Sequence, residues 1–394
     1  MARAPCRRTM AAMSTTPTPQ RRRFARRSAV AAALLLTAAL PAAAHADVAS
    51  FDGSRITVTG SDANESIILS RTVEGDIAIT TDEAGPGCRF DVPLGEAICP
   101  VPSGGIYVNM GGGDDHVTHL ALTEGTLPDG SLHVDLGPGD DEFKGAAGRE
   151  EIVGGAGNDT ITGGAGDDVL DGGDGDDTLT GDGGRDTLRG GAGDDVLDGD
   201  RFERPAADVI DGGAGTDRVE GWTIPDGSTH PPASVTLDGK ANDGRPGEGD
   251  DVRDVELITS NVSGTFVLSN AADVIEVWSN LDGGTSTIRA LGGNDRVTGG
   301  NHDERIDGGA GNDRLEGGYG NDRIVGGPGR DTIIGDKSGS DCGILQSCSL
   351  PQGNDVIDAR DGERDTISCG VGRDTVLADR QDVVSRDCER VKRR

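Results

Sequence analysis

Carboxylates recur through this chain on a fixed beat. Asp141, Glu150, Asp159, Asp168, Asp177, Asp186 and Asp195 stand nine residues apart, and Asp295, Glu304, Asp313, Asp322 and Asp331 repeat the spacing further on. Two residues after each comes one large apolar side chain, from Phe143 and Ile152 to Leu197 and from Val297 to Ile333. Two residues before each stands a Gly, except at His302. Paired acids such as Asp167-Asp168 have the residue types of a glycosidase acid–base couple. Their recurrence in repeat after repeat points instead to a row of ion ligands. A hard divalent cation takes six to eight oxygens from carboxylates and backbone carbonyls, and Gly-rich turns expose carbonyls. Ca²⁺ fits that donor set better than Mg²⁺, which wants a strict octahedron. Zn²⁺ prefers His or Cys, which the repeats lack apart from His302.

The beat has structural consequences. Nine is not a helical period, and Gly and Asp are poor helix formers. A trio such as Thr160-Ile161-Thr162 suits a very short strand with one inward side chain, and the Gly-rich six before it suit a tight turn with positive φ. Strand, turn, strand, turn describes a flattened coil with two nonapeptides per lap. Laps stacked at ~4.8 Å bring acids of like position about 5 Å apart, where each neighbouring pair repels by roughly 3 kcal/mol at an effective dielectric near 20. One buried Leu or Ile per nonapeptide contributes about 1.5–3 kcal/mol, and each Gly loses extra backbone entropy. Apolar burial alone therefore does not fold this repeat. A bound cation turns the acid row from a cost into a bond.

Composition narrows the partners. The 394 residues carry 37 basic and 69 acidic side chains and 65 Gly, with 3% aromatics. Such acidity disfavours nucleic acid and anionic lipid and suits cations. Five arginines (Arg21, Arg22, Arg23, Arg26 and Arg27) precede an apolar run at 29–40, and Ala44-His45-Ala46 fits a small-x-small cleavage site. This is the pattern of a secretory signal removed after Ala46. The run is too short for a permanent membrane span. Arg21-Arg22-Arg23-Phe24 also fits a twin-arginine signal loosely. Export implies a secreted, extracellular protein. Of seven Cys, six survive cleavage, and an even count in an exported chain reads as disulfides. Proximity in sequence suggests Cys88–Cys99, Cys342–Cys348 and Cys369–Cys388.

The run GGAGNDTIT-GGAGDDVLD-GGDGDDTLT at 154–180 resembles the hemolysin-type calcium-binding repeat, the RTX nonapeptide G-G-x-G-x-D-x-U-x. Close copies cover 136–198 and 281–334, with looser ones at 110–118, 212–220, 353–358 and 369–377. The resemblance implies an all-β fold, a right-handed parallel β-roll or β-helix solenoid, holding several Ca²⁺ ions between turns two repeats apart. It implies carboxylate ligands at Asp141, Asp159, Asp168, Asp177, Asp186 and Asp195, and at Asp295, Asp313, Asp322 and Asp331. Gly155, Gly157, Gly164, Gly166, Gly173, Gly175, Gly309, Gly311, Gly318 and Gly320 would offer carbonyls or the turn geometry. Departures weaken the expectation locally. Asp182 replaces a second-position Gly, His302 a fourth-position Gly where positive φ is expected, and Ser286 a carboxylate. Weak or absent sites are expected near Ser286 and His302.

The organisation read from these features is a signal at 1–46, a β-rich cap with irregular laps at 47–135, and a first repeat block at 136–220. A β-rich interruption with both Trp (Trp222 and Trp278) follows at 221–280, then a second block at 281–334, and degenerate repeats with a disulfide-tied cap at 335–394. Repeats of this type often accompany enzymes, but the chain has no H-E-x-x-H, G-x-S-x-G or P-loop motif. His116, His119 and His133 read as scattered polar residues. The expectation is a non-enzymatic, exported calcium-binding protein serving as scaffold, surface layer, matrix component or adhesin. Its partners would be calcium and an extracellular matrix or surface polymer, without stable membrane insertion. The alternative is a divergent polysaccharide lyase or epimerase on a β-helix, for which the sequence offers no aromatic sugar platform.

Overall fold

The computed structural model describes residues 48–394 except 73–75, 82, 92, 121–131, 200–205, 221–232, 238, 241–242, 244–248, 262, 279–283 and 337–352. The signal segment, Trp222 and the Cys342–Cys348 pair lie outside the described residues. Everything described is strand, turn or bend, with no helix among the described residues.

The chain coils as a parallel β-roll. Each lap lays one strand on a wall common to the whole molecule and one on the wall facing it. In the first block, Thr160–Ala165 on the common wall pairs in parallel with Thr178–Gly183, exactly eighteen residues on in register, as Ile161↔Leu179. On the facing wall Glu150–Ala156 pairs with Val169–Asp174, as Ile152↔Leu170. Two nonapeptides therefore make one lap, as the spacing requires.

Inside the roll three positions of every nonapeptide alternate inward: the acid, the aliphatic two later and the Gly two after that. Along 159–163 the burial runs buried, exposed, buried, half-buried, buried, placing Asp159, Ile161 and Gly163 inside. The aliphatics form one continuous core from Ile56 to Val376, and Ile161, Leu179 and Leu197 are fully buried in a single column. Strands in the first block are longer than the trio expected from sequence. Thr160–Ala165 and Val169–Asp174 run on through the Gly pair, so the turn shrinks to about three residues. The second block keeps short strands, such as Arg296–Thr298 and Arg305–Asp307.

The common wall runs unbroken from Arg218 to Thr298: Arg218–Glu220 pairs with Leu257–Ser260, then Val274–Val277, then Arg296–Thr298. The facing wall does not. The first wall ends at Asp251–Arg253, and a third wall begins at Ala233–Thr236 and continues through Gly264–Val267 to Arg390–Arg393. Asp243 joins the two, because its carboxylate accepts the N–H of Thr236 on one and of Val252 on the other. Near the N-terminus parallel pairing gives way to antiparallel: Val48–Phe51 pairs with Ile56–Ser61, and Ile77–Thr80 with Ser66–Arg71 and Glu96–Cys99. The disulfides Cys88–Cys99 and Cys369–Cys388 form as expected, one near each end of the described chain.

Leu179→Asp would put an unpaired charge in the centre of the aliphatic column, with a loss of about 3 kcal/mol or more. The expected outcome is loss of β signal in far-UV circular dichroism even in saturating calcium. A wild-type spectrum would show that this column does not hold the roll together.

Candidate metal centre

The acids of the repeat are inside the roll. Asp141, Asp159, Asp168, Asp177, Asp186 and Asp195, with Asp295, Asp313, Asp322 and Asp331, are each only 1–2% exposed. One oxygen of each is used by the backbone. The N–H of Asp141 donates to Oδ1 of Asp159, that of Asp159 to Asp177 and that of Asp177 to Asp195, each at 2.8 Å. The facing column does the same from Glu150 to Asp168 and from Asp168 to Asp186. The second block repeats it from Asp295 to Asp313 and from Asp313 to Asp331. Each carboxylate thus reaches back one lap and binds the N–H of its predecessor.

The other oxygen is bare. Oδ2 of Asp141, Asp159, Asp177, Asp195, Asp295, Asp313, Asp322 and Asp331 is buried without a hydrogen-bond partner. A buried carboxylate oxygen with no partner resists ionisation. Burial, reinforced by like charges one lap away, raises Asp159 and Asp295 to about 7 against the backbone hydrogen bond that lowers them. It raises Asp168 to about 8, where the Glu150 carboxylate adds like charge, and Asp177 to about 6. Burial also raises Asp322 and Asp331 to about 7.

The glycines explain how the acids fit. First-position Gly163 and Gly172 leave room where a Cβ would strike the Asp168 and Asp177 carboxylates of their own repeats. Second- and fourth-position glycines serve the turn. Gly155, Gly164, Gly173, Gly309 and Gly318, and Gly157, Gly166, Gly175, Gly311 and Gly320, all have φ between 85° and 150°. At Gly157 a Cβ would also strike the carbonyl of Gly139 one lap below, so the turns stack backbone on backbone. The carbonyls of Gly157, Gly166 and Gly175 accept no hydrogen bond from the described backbone.

This donor set suits a hard divalent cation. It offers bare carboxylate oxygens and free carbonyls on closely stacked turns, all oxygen. Among the described residues no three His, Cys, Asp or Glu side chains converge on one point, so a cation held here would take most of its ligands from carbonyls. A profile of the RTX calcium-binding nonapeptide repeat matches residues 144–179, 171–202, 206–223, 282–315 and 307–338. These segments are RTX calcium-binding repeats. No curated protein matches the chain.

RTX-type geometry extends past the matched segments. Asp115, Asp355 and Asp365 are buried in the same columns with a bare Oδ2, as is Asp217 within them. The N–H of Asp331 donates to Asp365 across 34 residues and that of Asp322 to Asp355 across 33, so insertions leave the column intact. Their signal in sequence is an acid two residues before an aliphatic, without the full Gly frame. Two column members differ. Ser61 donates to Glu65 and Ser269 to Asp273 through both N–H and hydroxyl, so these acids are already satisfied by the residue four before them. A second column also went unread in the sequence. Fifth-position side chains accept the N–H of the fifth residue one lap later, from Asp140 to Asn158 to Asp176 to Asp194, on the exposed edge.

The three departures resolve differently. Asp182 adopts φ of 69°, a conformation Asp tolerates. His302 does not take positive φ, nor does Gly300, so that turn follows another path and the expected strain at His302 is absent. Ser286 is fully buried with an unpartnered hydroxyl where its neighbours have a carboxylate.

Raised pKa values set the pH response. Without metal, the protonated acids favour the folded roll fully below about pH 4. That contribution is lost as pH rises through about 6 to 8. Metal binding needs the ionised form and strengthens over the same range. Chelated protein should therefore melt at lower temperature at pH 8 than at pH 5, while the calcium-induced rise in Tm grows. Equal chelated Tm values at both pH values would show that the column does not titrate.

Proposed function

We propose that this chain is an exported, non-enzymatic protein whose repeats fold on binding several Ca²⁺ ions, and that it serves as a matrix, surface-layer or adhesive scaffold. The observation that carries this reading is the column of buried carboxylates, each with one oxygen held by the backbone and one bare. The ligands would be Oδ2 of the sixth-position aspartates in both blocks and carbonyls of the stacked Gly turns. Bound Ca²⁺ would supply the positive charge that the column lacks. The chain's own contribution is placement: the aliphatic two residues on fixes each strand inward, and the backbone N–H of the preceding lap orients each carboxylate.

Folding and binding are then one process. Scarce calcium leaves the acids repelling one another and the laps loose. Extracellular modules bind calcium at about 0.1–1 mM, which suits a fold completed after export. Ordering one lap prepares the N–H donors of the next, so binding is cooperative.

Far-UV circular dichroism of the chelated protein, titrated with calcium and in parallel with magnesium, tests the reading. A cooperative gain of β signal is expected with calcium alone. Asp177→Ala should shift the midpoint to higher calcium and flatten the transition, because it breaks the column on both sides. At pH 8, where the column is ionised, full β signal in chelator, or an unchanged Asp177→Ala curve, would overturn the proposal. Export is checked separately by the mass of protein recovered outside the producing cell, expected to begin at Asp47. An intact N-terminus would refute cleavage after Ala46.

A further inference from the structure

The third wall has an outer face unlike the others. Its outward columns run Ser234, Thr265, Thr287, Arg305, Arg323, Val356, Thr375, Arg390 and, two residues on, Thr236, Val267, Arg289, Asp307, Val325, Asp358, Leu377, Lys392. That is five basic residues against two acids, and Asp358 is already held by Arg360 at 2.6 Å. Arg289, Arg305 and Arg323 are exposed. Among the described residues none of the three forms a salt bridge within 4.0 Å. Arg305 and Arg323 lie directly opposite each other on adjacent laps, about 4.8 Å apart along the stack. The same seventh position of the first block holds Glu142, Glu151, Thr160, Val169, Thr178, Thr187, Val196 and Arg218, and Arg218 is paired with Glu220 at 2.7 Å. The common wall also carries a matched pair, Arg296↔Arg314, with Glu276 and Glu316 and no further base in the next outward column; beside Arg305↔Arg323 that column holds Asp307 and the Arg360-bound Asp358 and adds Arg289.

We propose that the outer face of the third wall docks a linear acidic polysaccharide, whose carboxylate or sulfate groups pair with Arg289, Arg305 and Arg323. This names the partner of the matrix or adhesive reading above and rests on it for the extracellular setting. Planar guanidinium groups bind such anions in bidentate fashion, and a flat parallel sheet presents them in a row along the stack. A nucleic acid is a poorer occupant, because these columns contain no aromatic side chain on which bases could stack. On the first wall of a second copy two outward acids are already paired, Glu151 with His133 at 3.0 Å and Asp211 with Arg253 at 2.8 Å, and a second copy is therefore an outcome the test distinguishes.

The test measures retention of the full chain, in saturating calcium, on immobilised dextran sulfate, with unmodified dextran as the neutral reference. Retention on the sulfated polymer alone is expected. Arg305→Gln with Arg323→Gln should lower affinity about tenfold or more. Arg296→Gln with Arg314→Gln, an identical change of charge on the common wall, should lower it less than about threefold. Equal losses for the two pairs, absence of retention, or retention on neutral dextran would overturn the proposal. So would sedimentation showing a dimer that only the Arg305 and Arg323 pair dissolves, which would assign the wall to a second copy. Circular dichroism on the same samples keeps the readings apart. A β signal indifferent to calcium counts against calcium-driven folding, whereas retention alone judges the wall.

Discussion

A carboxylate facing inward with one oxygen unpaired is the constraint on which this molecule depends. Burying ionised groups in a row is ordinarily prohibitive, since each loses its hydration and meets its neighbours' charge. The roll recovers part of that loss through one backbone hydrogen bond per acid, such as the N–H of Asp141 donating to Oδ1 of Asp159 at 2.8 Å. It leaves the rest standing at Oδ2. The group must then carry a proton or face a cation. The burial-driven pKa values of about 6 to 8 place neutral pH on the boundary between these two states.

The nonapeptide has the parts that satisfy this constraint. Three inward positions are needed, one acid, one aliphatic and one glycine small enough for the acid to fold over it, as Gly172 is for Asp177. Alternation at a period of two spends five residues on them. The remaining residues reverse the chain in turns that stack so closely that a side chain at Gly157 would meet the carbonyl of Gly139. The column tolerates a longer step than eighteen residues, as the 33 from Asp322 to Asp355 show. The column rejoins because its hydrogen bond needs only the two ends of the step.

The repeat period, the aliphatic column and two of the disulfides were legible in the sequence because each is a local pattern or a simple proximity. The inward direction of Asp159 and Asp177 was not. Gly and Asp are turn formers by local propensity, and only the neighbouring lap shows that the strand extends through the Gly pair and carries the acid inside. The fifth-position column of Asp140, Asn158 and Asp176 was hidden for the same reason, since its bonds join residues eighteen apart. His302 was misjudged because the expected positive φ was transferred from its repeat, whereas its turn takes another path along with Gly300. The change from first to third wall near Asp243 has no periodic signature, since it depends on which strands pair.

Placing the acids inside changes what the composition says about partners. Among the described residues twenty-four Asp and Glu are buried, and no Lys or Arg is. Most of the formal net charge of −32 therefore belongs to the interior, where a proton or a cation compensates it. A sequence average counts those charges as surface and disfavours every anion. The surface obeys a different sum, wall by wall, and on the third wall it is positive. For a solenoid whose charges serve its own folding, net charge describes the core, and the register of the outward columns decides what the outside can meet.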